Sequence, residues 1–492
     1  MNQQFVEPAV RTQLMLIGGQ WVPAFSGQTI AVENPGRRRV IATVPRGGAE
    51  DVDLAVQEAI SAFTTWRRVA PRDRGRMLLT IADRIDAAHE ELSRAIAEET
   101  GNALRTQARP EVKIAADIFR YFGGLASELK GDTLPLNYDL LSFTQREPLG
   151  VVAAVIPWNA PFLLAAVKIA PALCAGNTMV MKTAEDAPLA VLALAEICAE
   201  ILPAGTLNML SGTGAECGAP LLNHPLVAKL SFTGSTAVGK IVMEAAAKRI
   251  LPVSLELGGK SPSIVFPDAT DDWVIDGIVA AMRFTRQSQS CTAGSRLFVH
   301  RDIYDRTLER LANAASKLKV GDPLDEASDI GAIINERQYT KVCGYIEDGL
   351  KQSGSKLVCG GHPKDSHPIG DGYYLRPTIF AQGTNDWRLA REEIFGPVLV
   401  AIPWTDEDDV IRMANDSHYG LAAYLWTHDI GKALRSARDL EAGWVQVNQG
   451  GGQMPGHSYG GYKQSGLGRE FSLAGMLESY TQTKNITINL VR

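Results

Sequence analysis

Apolar positions in the first third of the chain recur with a helical period. Val52, Ala55, Val56, Ala59, Ile60 and Phe63 fall on one face of a helix, with Asp51 placed to cap it. The same spacing predicts helices over about 72–100 and 108–126. Near residue 149 the rhythm changes. Short β-rich runs (Val151–Ile156, Thr178–Lys182, Leu207–Leu210, Val227–Phe232, Val253–Leu257) alternate with segments of helical length. Such alternation predicts right-handed βαβ units and a parallel sheet covered by helices on both faces. A second series begins near Lys260, with Ser295–His300, helices at about 303–319 and 335–352, and the runs Val398–Trp404, Leu421–Trp426 and Trp444–Asn448. Each series can form its own sheet, so the expected fold is α/β with two Rossmann-like lobes and a cleft between them.

Two pieces fall outside the lobes. Residues 129–148 hold a turn and a β-prone run ending at Arg146, and Ile486, Ile488 and Leu490 alternate with polar residues as a half-exposed strand. That last strand pairs either within its own subunit or with another, and the pattern alone leaves both open. The uncharged stretch Leu149–Val167 has the length of a membrane span, but Pro157, Asn159 and Pro161 interrupt it. A buried strand, a turn and a buried helix fit it better. No fixed-period repeat is found, and Gly450–Gly452 and Gly460–Gly461 mark loops.

Composition narrows the partners. A chain of 492 residues, 45% apolar and 21% charged, has material for two or three globular domains. Its net charge is −6 and it has no basic stripe interleaved with aromatics, so nucleic acid is not expected as a partner. Met1–Gln20 lacks a basic segment followed by an apolar one, so no secretory signal is expected. The six cysteines form no CxxC pair and no zinc-ligand spacing with histidine. Reduced thiols, no metal and a cytoplasmic location are therefore expected.

Four features have chemical potential. Cys291 lies in the small polar segment Ser288–Gly294 between a helix and a strand, where a thiol gains the access that reactivity needs; a buried inert thiol is the alternative. Glu256 is a carboxylate between Leu255 and Leu257, where burial raises its pKa toward that of a general base; a structural ion pair is the alternative. Gly234–Gly239 joins a strand to the helix expected over 235–248, a junction where backbone N–H groups can receive a phosphate. Asn159 follows the strand Val151–Ile156, where a side-chain amide can hold an oxyanion, or merely start an Asx turn.

Five segments in order resemble the aldehyde dehydrogenase superfamily: Pro157-Trp-Asn-Ala-Pro161, Leu255-Glu-Leu-Gly-Gly-Lys260, Cys291-Thr-Ala-Gly-Ser-Arg296, Glu392-Glu-Ile-Phe-Gly-Pro397 and Gly460-Gly-Tyr-Lys-Gln-Ser-Gly-Leu-Gly-Arg-Glu470. The similarity runs from about Ile17-Gly-Gly-Gln-Trp21 to Thr483. The resemblance implies an NAD-binding domain over 1–128 and 149–257, a catalytic domain over 258–448, and a loop closing the substrate site over 449–470. It also implies a small β oligomerisation arm over 129–148 and 471–492, in a homodimer or homotetramer, and so decides for pairing of the last strand between subunits. Cys291 is then the nucleophile, Glu256 the deacylation base and Asn159 part of the oxyanion hole, with Lys168 beside them. Cofactor positions are Ile156, Pro157, Trp158, Lys182, Glu185, Gly214, Gly218, Gly234, Ser235, Val238, Leu257, Glu393 and Phe395. Substrate positions are Ala160, Leu164, Val167, Thr285, Ser290, Thr292, Gln453 and Tyr459.

The chemistry implied is oxidation of an aldehyde to a carboxylate through a cysteine thiohemiacetal and a thioester hydrolysed by Glu256-activated water. Relatives that acylate coenzyme A typically lack this glutamate, so hydrolysis is favoured. Glu185, facing an adenosine ribose, favours NAD over NADP, with NADP an alternative. The chain departs from the family at Ser288, where Gly is usual, at Arg286, where Asn is common, and at Ser458-Tyr459, where Pro-Phe is common. A positive φ at Ser288 would strain it. With few aromatics and no arginine at the tunnel positions, the expected substrate is a medium-chain, terpenoid or aromatic aldehyde. The competing readings are a semialdehyde dehydrogenase, a catalytically silent paralogue and a Cys-His hydrolase.

Overall fold

The computed structural model describes residues 10–365 and 369–491. The first nine residues of the segment read as lacking a secretory signal lie outside the described residues.

Five parallel strands form the centre of an eight-stranded sheet: Val253–Glu256, Val227–Thr233, Val151–Val155, Thr178–Lys182 and Leu207–Leu210, in that spatial order. They are buried almost throughout, which is why each reads as a continuous apolar run rather than an alternating one. The chain starts at the central strand, winds outward to Leu207–Leu210, and returns to Val227–Thr233 on the other side. The switch point therefore lies between Val151–Val155 and Val227–Thr233, where an open α/β sheet forms its binding crevice. Three antiparallel strands absent from the expected list complete the edges. The hairpin Met15–Ile17 and Gln20–Val22 joins beside Leu207–Leu210, and Gly466–Leu467 joins beside Val253–Glu256.

The second sheet has seven strands: Lys356–Cys359, Thr378–Ala381, Val398–Trp404, Arg296–His300, Pro262–Val265, Ala422–Trp426 and Trp444–Val447, all parallel except the first. Two α/β lobes thus stand where the periodicity put them. The uncharged stretch resolves into the strand Val151–Val155, a turn and the helix Pro161–Cys174, and no helix among the described residues is long and apolar enough to cross a membrane.

Several local expectations are corrected. The helical segment at 72–100 is two helices, Pro71–Ala87 and His89–Thr100, separated at Ala88. Asp51 lies inside the first turn of Ala49–Trp66 and caps from there, its carboxylate accepting from the backbone N–H groups of Gly48 (2.8 Å) and Phe25 (3.0 Å). The C-terminal strand Thr481–Asn489 pairs in its own chain with Leu140–Pro148 over nine residues, which in turn pairs with Thr133–Asn137. One edge of the strand thus has its partner within the chain, where pairing between subunits was expected, and its other edge carries no strand among the described residues. The helix Leu473–Tyr480 carries the chain back to Pro148, so a local partner is already in register. Asn177 Nδ2 donates to the Tyr480 carbonyl at 2.9 Å, tying the arm to the first lobe.

Candidate active site

The turn after the central strand and the loop before Arg296–His300 meet across the cleft. Asn159 Nδ2 donates to the Gln289 carbonyl at 2.9 Å, and the Trp158 ring meets Phe395 edge-on at 5.3 Å. The two glycines after Glu256 permit the closest approaches. A Cβ on Gly259 would lie 2.2 Å from the Cys291 carbonyl oxygen, and one on Gly258 would lie 2.5 Å from a Glu393 carboxylate oxygen. Glu393 also accepts from the Gly259 N–H at 3.0 Å.

Cys291 sits in a wound loop rather than a simple turn. Arg283, Gln287 and Ser288 all adopt left-handed backbone conformations, with φ of 59°, 49° and 51°. Ser288 therefore does occupy the conformation that glycine tolerates best. The winding is held by polar anchors. Gln287 Nε2 donates to the Gly101 carbonyl at 2.7 Å, and the Ile334 N–H donates to Gln289 Oε1 at 3.1 Å. Arg286 donates to Gln107 Oε1 (2.9 Å), the Asn159 carbonyl (3.2 Å) and the buried carboxylate of Glu111 (3.3 Å). The other Glu111 oxygen accepts from the N–H groups of Phe162 and Leu163, at the start of Pro161–Cys174. Arg286 and Glu111 thus tie the Cys291 loop, the Asn159 turn and the Lys168 helix together.

The six thiols are free, and burial raises all of their pKa values, that of Cys291 to about 11. Acidity alone does not single out Cys291. Its neighbours do. Its sulfur lies 3.5 Å from Tyr459 Oη, and it feels the carboxylates of Glu393 and Glu256 and the guanidinium of Arg283. No hydrogen bond or ion pair of a described histidine involves Cys291.

Glu256 ends its strand with both carboxylate oxygens buried and without a partner among the described residues. Burial, with the neighbouring Glu470, lifts its carboxyl well above the usual range, against Lys168 and Arg469. A structural ion pair is not what this carboxylate makes. The ion pair lies one step behind it: Lys168 Nζ donates to Glu470 Oε1 at 2.8 Å and to Ser231 Oγ at 3.1 Å. Lys229, also buried, donates to Ser254 Oγ at 2.8 Å and lies under the Tyr480 ring at 5.4 Å; burial lowers its ammonium to about 7. Glu470, Glu111 and Lys229 are unforeseen from sequence. Glu470 stood in a quoted motif, but its partner Lys168 is 302 positions away.

Further along the crevice, Lys182 Nζ approaches Glu185 at 3.6 Å, and Glu185 Oε1 accepts from the Gly214 N–H at 2.6 Å. A Cβ on Gly218 would meet the Lys182 chain at 3.5 Å. Ser235 caps the helix Thr236–Ala247 by accepting from the Val238 N–H at 3.4 Å, and Leu257 packs against Gly239 of the same helix. Ile156 continues the sheet by donating to the Lys182 carbonyl at 3.3 Å, with Pro157 leading on to Trp158. Along the crevice lie a helix N-terminus, a half-exposed carboxylate for ribose hydroxyls and the buried, unpartnered hydroxyl of Thr233. These donors and acceptors fit a dinucleotide.

A cavity of about 710 Å³ opens between the helix Arg109–Gly124 and the 449–470 segment, lined by Ile114, Asp117, Arg120, Tyr121, Gln453 and Met454 with Pro455. Arg120 is engaged by Asp83, Asp86 and Asp117. Of the expected substrate residues, Gln453 lines this cavity. Ala160 and Leu164 lie at the start of Pro161–Cys174, Thr285 accepts from Gln107 Nε2 at 2.7 Å, and Ser290 bonds Thr292 at 3.1 Å. Val167 and Thr292 are buried, each 1% exposed. No group of three or more His, Cys, Asp or Glu side chains able to hold a metal occurs among the described residues.

Comparison with known proteins agrees with this geometry. Residues 21–486 match the family model described as the aldehyde dehydrogenase family. The chain is 44% identical over 484 residues to a phenylacetaldehyde dehydrogenase of Pseudomonas fluorescens, covering 96% of this chain and 95% of that protein. It is 43% identical to a hydroxyisobutyraldehyde dehydrogenase of Mycolicibacterium austroafricanum, covering 97% and 94%. Its fold matches the NAD+ complex of an aldehyde dehydrogenase from Bacillus cereus with a TM-score of 0.94 at 36% identity, covering 98% and 97%.

Proposed function

The chain belongs to the aldehyde dehydrogenase family as an NAD-dependent oxidoreductase, and we propose that Cys291 is its nucleophile, Glu256 its hydrolytic base and Asn159 its oxyanion donor. The observation that carries this reading is the unpartnered Glu256 carboxylate, buried beside the Cys291 loop with a raised pKa. A carboxylate left without hydrogen bonds in such surroundings is costly, and a water to deprotonate gives it a function.

In this reading the Cys291 thiolate adds to the aldehyde carbon, and the oxyanion so formed is held by Asn159 Nδ2 and the Cys291 N–H. Loss of one such donor costs about 3–4 kcal/mol in comparable sites. NAD, when bound, supplies the hydride acceptor. Lys182 and Glu185 would hold its adenosine ribose and Glu393 and Phe395 its nicotinamide ribose, while Ile156, Pro157, Trp158, Gly214, Gly218, Gly234, Ser235, Val238 and Leu257 line its path. Glu256 then takes a proton from the water that cleaves the thioester. Lys168, paired to Glu470, sets the charge behind Glu256. The NAD-binding domain is 1–128 with 149–257, the catalytic domain 258–448, and 449–470 closes the substrate site.

The substrate proposed is an uncharged medium-chain, terpenoid or aromatic aldehyde. The mostly apolar lining of the cavity supports this, as does the engagement of its one cation, Arg120, by three carboxylates, which leaves it ill-suited to a substrate acid group. Phenylacetaldehyde, named for one relative, belongs to this class. A homodimer or homotetramer in the cytoplasm completes the proposal; one edge of Thr481–Asn489 carries no strand among the described residues.

The test compares Cys291→Ala and Glu256→Gln with wild type on an aldehyde panel. Cys291→Ala should form no NADH. Glu256→Gln should keep a burst of NADH but lose steady turnover; steady turnover near wild type would remove Glu256 from the base role. Preference for succinic semialdehyde over phenylacetaldehyde would reject the substrate class.

A further inference from the structure

Tyr459 stands where the family commonly has a phenylalanine, and its hydroxyl is placed against the nucleophile. Its ring is 4% exposed and wedged edge-on between Trp444 and Phe471, each at 5.6 Å. Its backbone forms a two-way bridge with Glu470, with N–H to carbonyl distances of 3.2 and 2.7 Å. The position of the hydroxyl, 3.5 Å from Cys291 Sγ, is therefore set by packing on both faces and at the main chain. The Gln453 side chain faces the phenol and favours its ionised form. A phenol has a single O–H, and at 3.5 Å the Cys291 sulfur is placed to receive it.

We propose that Tyr459 is a catalytic residue, donating a hydrogen bond to the Cys291 sulfur that stabilises the thiolate before attack and again as the leaving group of thioester hydrolysis. The inference rests on Cys291 being the nucleophile. In hydrolysis, water adds to the acyl carbon, losing one proton to Glu256. The C–S bond then breaks, and the sulfur leaves with the bonding pair. Carboxylic acid, thiolate and protonated Glu256 result, and the thiolate is the species that accepts from the phenol. Burial holds the phenol pKa well above its ordinary value, so it remains a donor at neutral pH.

The charges around the sulfur define what Tyr459 must counter. Glu256 and Glu393 disfavour the thiolate from the first lobe and the 392–397 segment, while Arg283 and Arg286 of its own loop favour it. Tyr424, from the strand Ala422–Trp426, faces it as another buried phenol, but its hydroxyl is spent on the Thr292 carbonyl at 2.8 Å. Among the described residues, Tyr459 alone has a hydrogen bond to the Cys291 sulfur.

Tyr459→Phe keeps the ring and its packing and removes only the hydroxyl. The test measures the pH dependence of iodoacetamide alkylation at Cys291, located by peptide mass, together with steady-state NADH formation from phenylacetaldehyde. The alkylation midpoint should rise by about one pH unit and kcat fall roughly tenfold, with KM within about twofold of wild type. Superimposable alkylation profiles, or a rise in KM alone, would make Tyr459 a wall of the tunnel and overturn the proposal. Cys291→Ala run in parallel separates the two failures, because turnover surviving in that variant would sink the nucleophile assignment itself.

Discussion

On one side of the cleft, Asn159 and Gly234 follow directly from adjacent parallel strands, and Glu256 ends a third. On the other, Cys291 lies in a loop with three left-handed residues that are not glycine, fastened by side-chain hydrogen bonds to segments up to 186 positions away. The first side inherits its geometry from the sheet, because a strand end fixes where the next residue points. The second has no such template, so buried polar bonds must fix it. Where a scaffold supplies position for free, substitutions near a site act mainly on chemistry; where it does not, they act on position first.

The largest effect should come from the point where the two sides touch. Gly259→Ala drives a methyl into the Cys291 carbonyl, and kcat should fall by at least ~100-fold while circular dichroism reports a folded protein. Activity within tenfold of wild type would mean that the loop yields cheaply.

Next comes the fastening. Arg286→Leu leaves Glu111 buried without its cation and should cost about 3–5 kcal/mol in urea unfolding. A loss under about 1 kcal/mol would show the loop to be held by other means.

On the sheet side, Glu185→Ala should leave stability nearly unchanged and lower the preference for NAD over NADP about tenfold, read from the ratio of kcat/KM values. An unchanged ratio would separate Glu185 from cofactor choice.

The smallest effect is expected at Ser288. Glycine there removes left-handed strain and an unpartnered buried hydroxyl, and should stabilise the fold by about 1 kcal/mol in calorimetry.

The same contrast explains what could be read from the sequence. Thr178–Lys182, Leu207–Leu210 and Val398–Trp404 have the boundaries their apolar runs announce. Strands buried on both faces leave that signature. Pro262–Val265 is central to its sheet yet only four residues long, opens with proline, and was visible only as the start of an α/β series. The Gly466–Leu467 strand hides in a glycine-rich segment read as loop. For the site, motif residues stood out, but their partners did not. Lys168 with Glu470 and Arg286 with Glu111 pair across 302 and 175 positions, and no local pattern encodes such contacts. Ser288 was legible because glycine's absence at a glycine position predicts a backbone angle.

The far-reaching bond between Lys168 and Glu470 also bears on how the chain is made. During synthesis, the segment carrying Lys168 leaves the ribosome some three hundred residues before its counter-charge, and the arm strand that follows Tyr480 emerges later still. Until then Lys168 lacks the carboxylate with which it pairs in the finished fold. A chain ending before residue 470 therefore carries Cys291 and Glu256 but not the carboxylate that pairs with Lys168 behind Glu256.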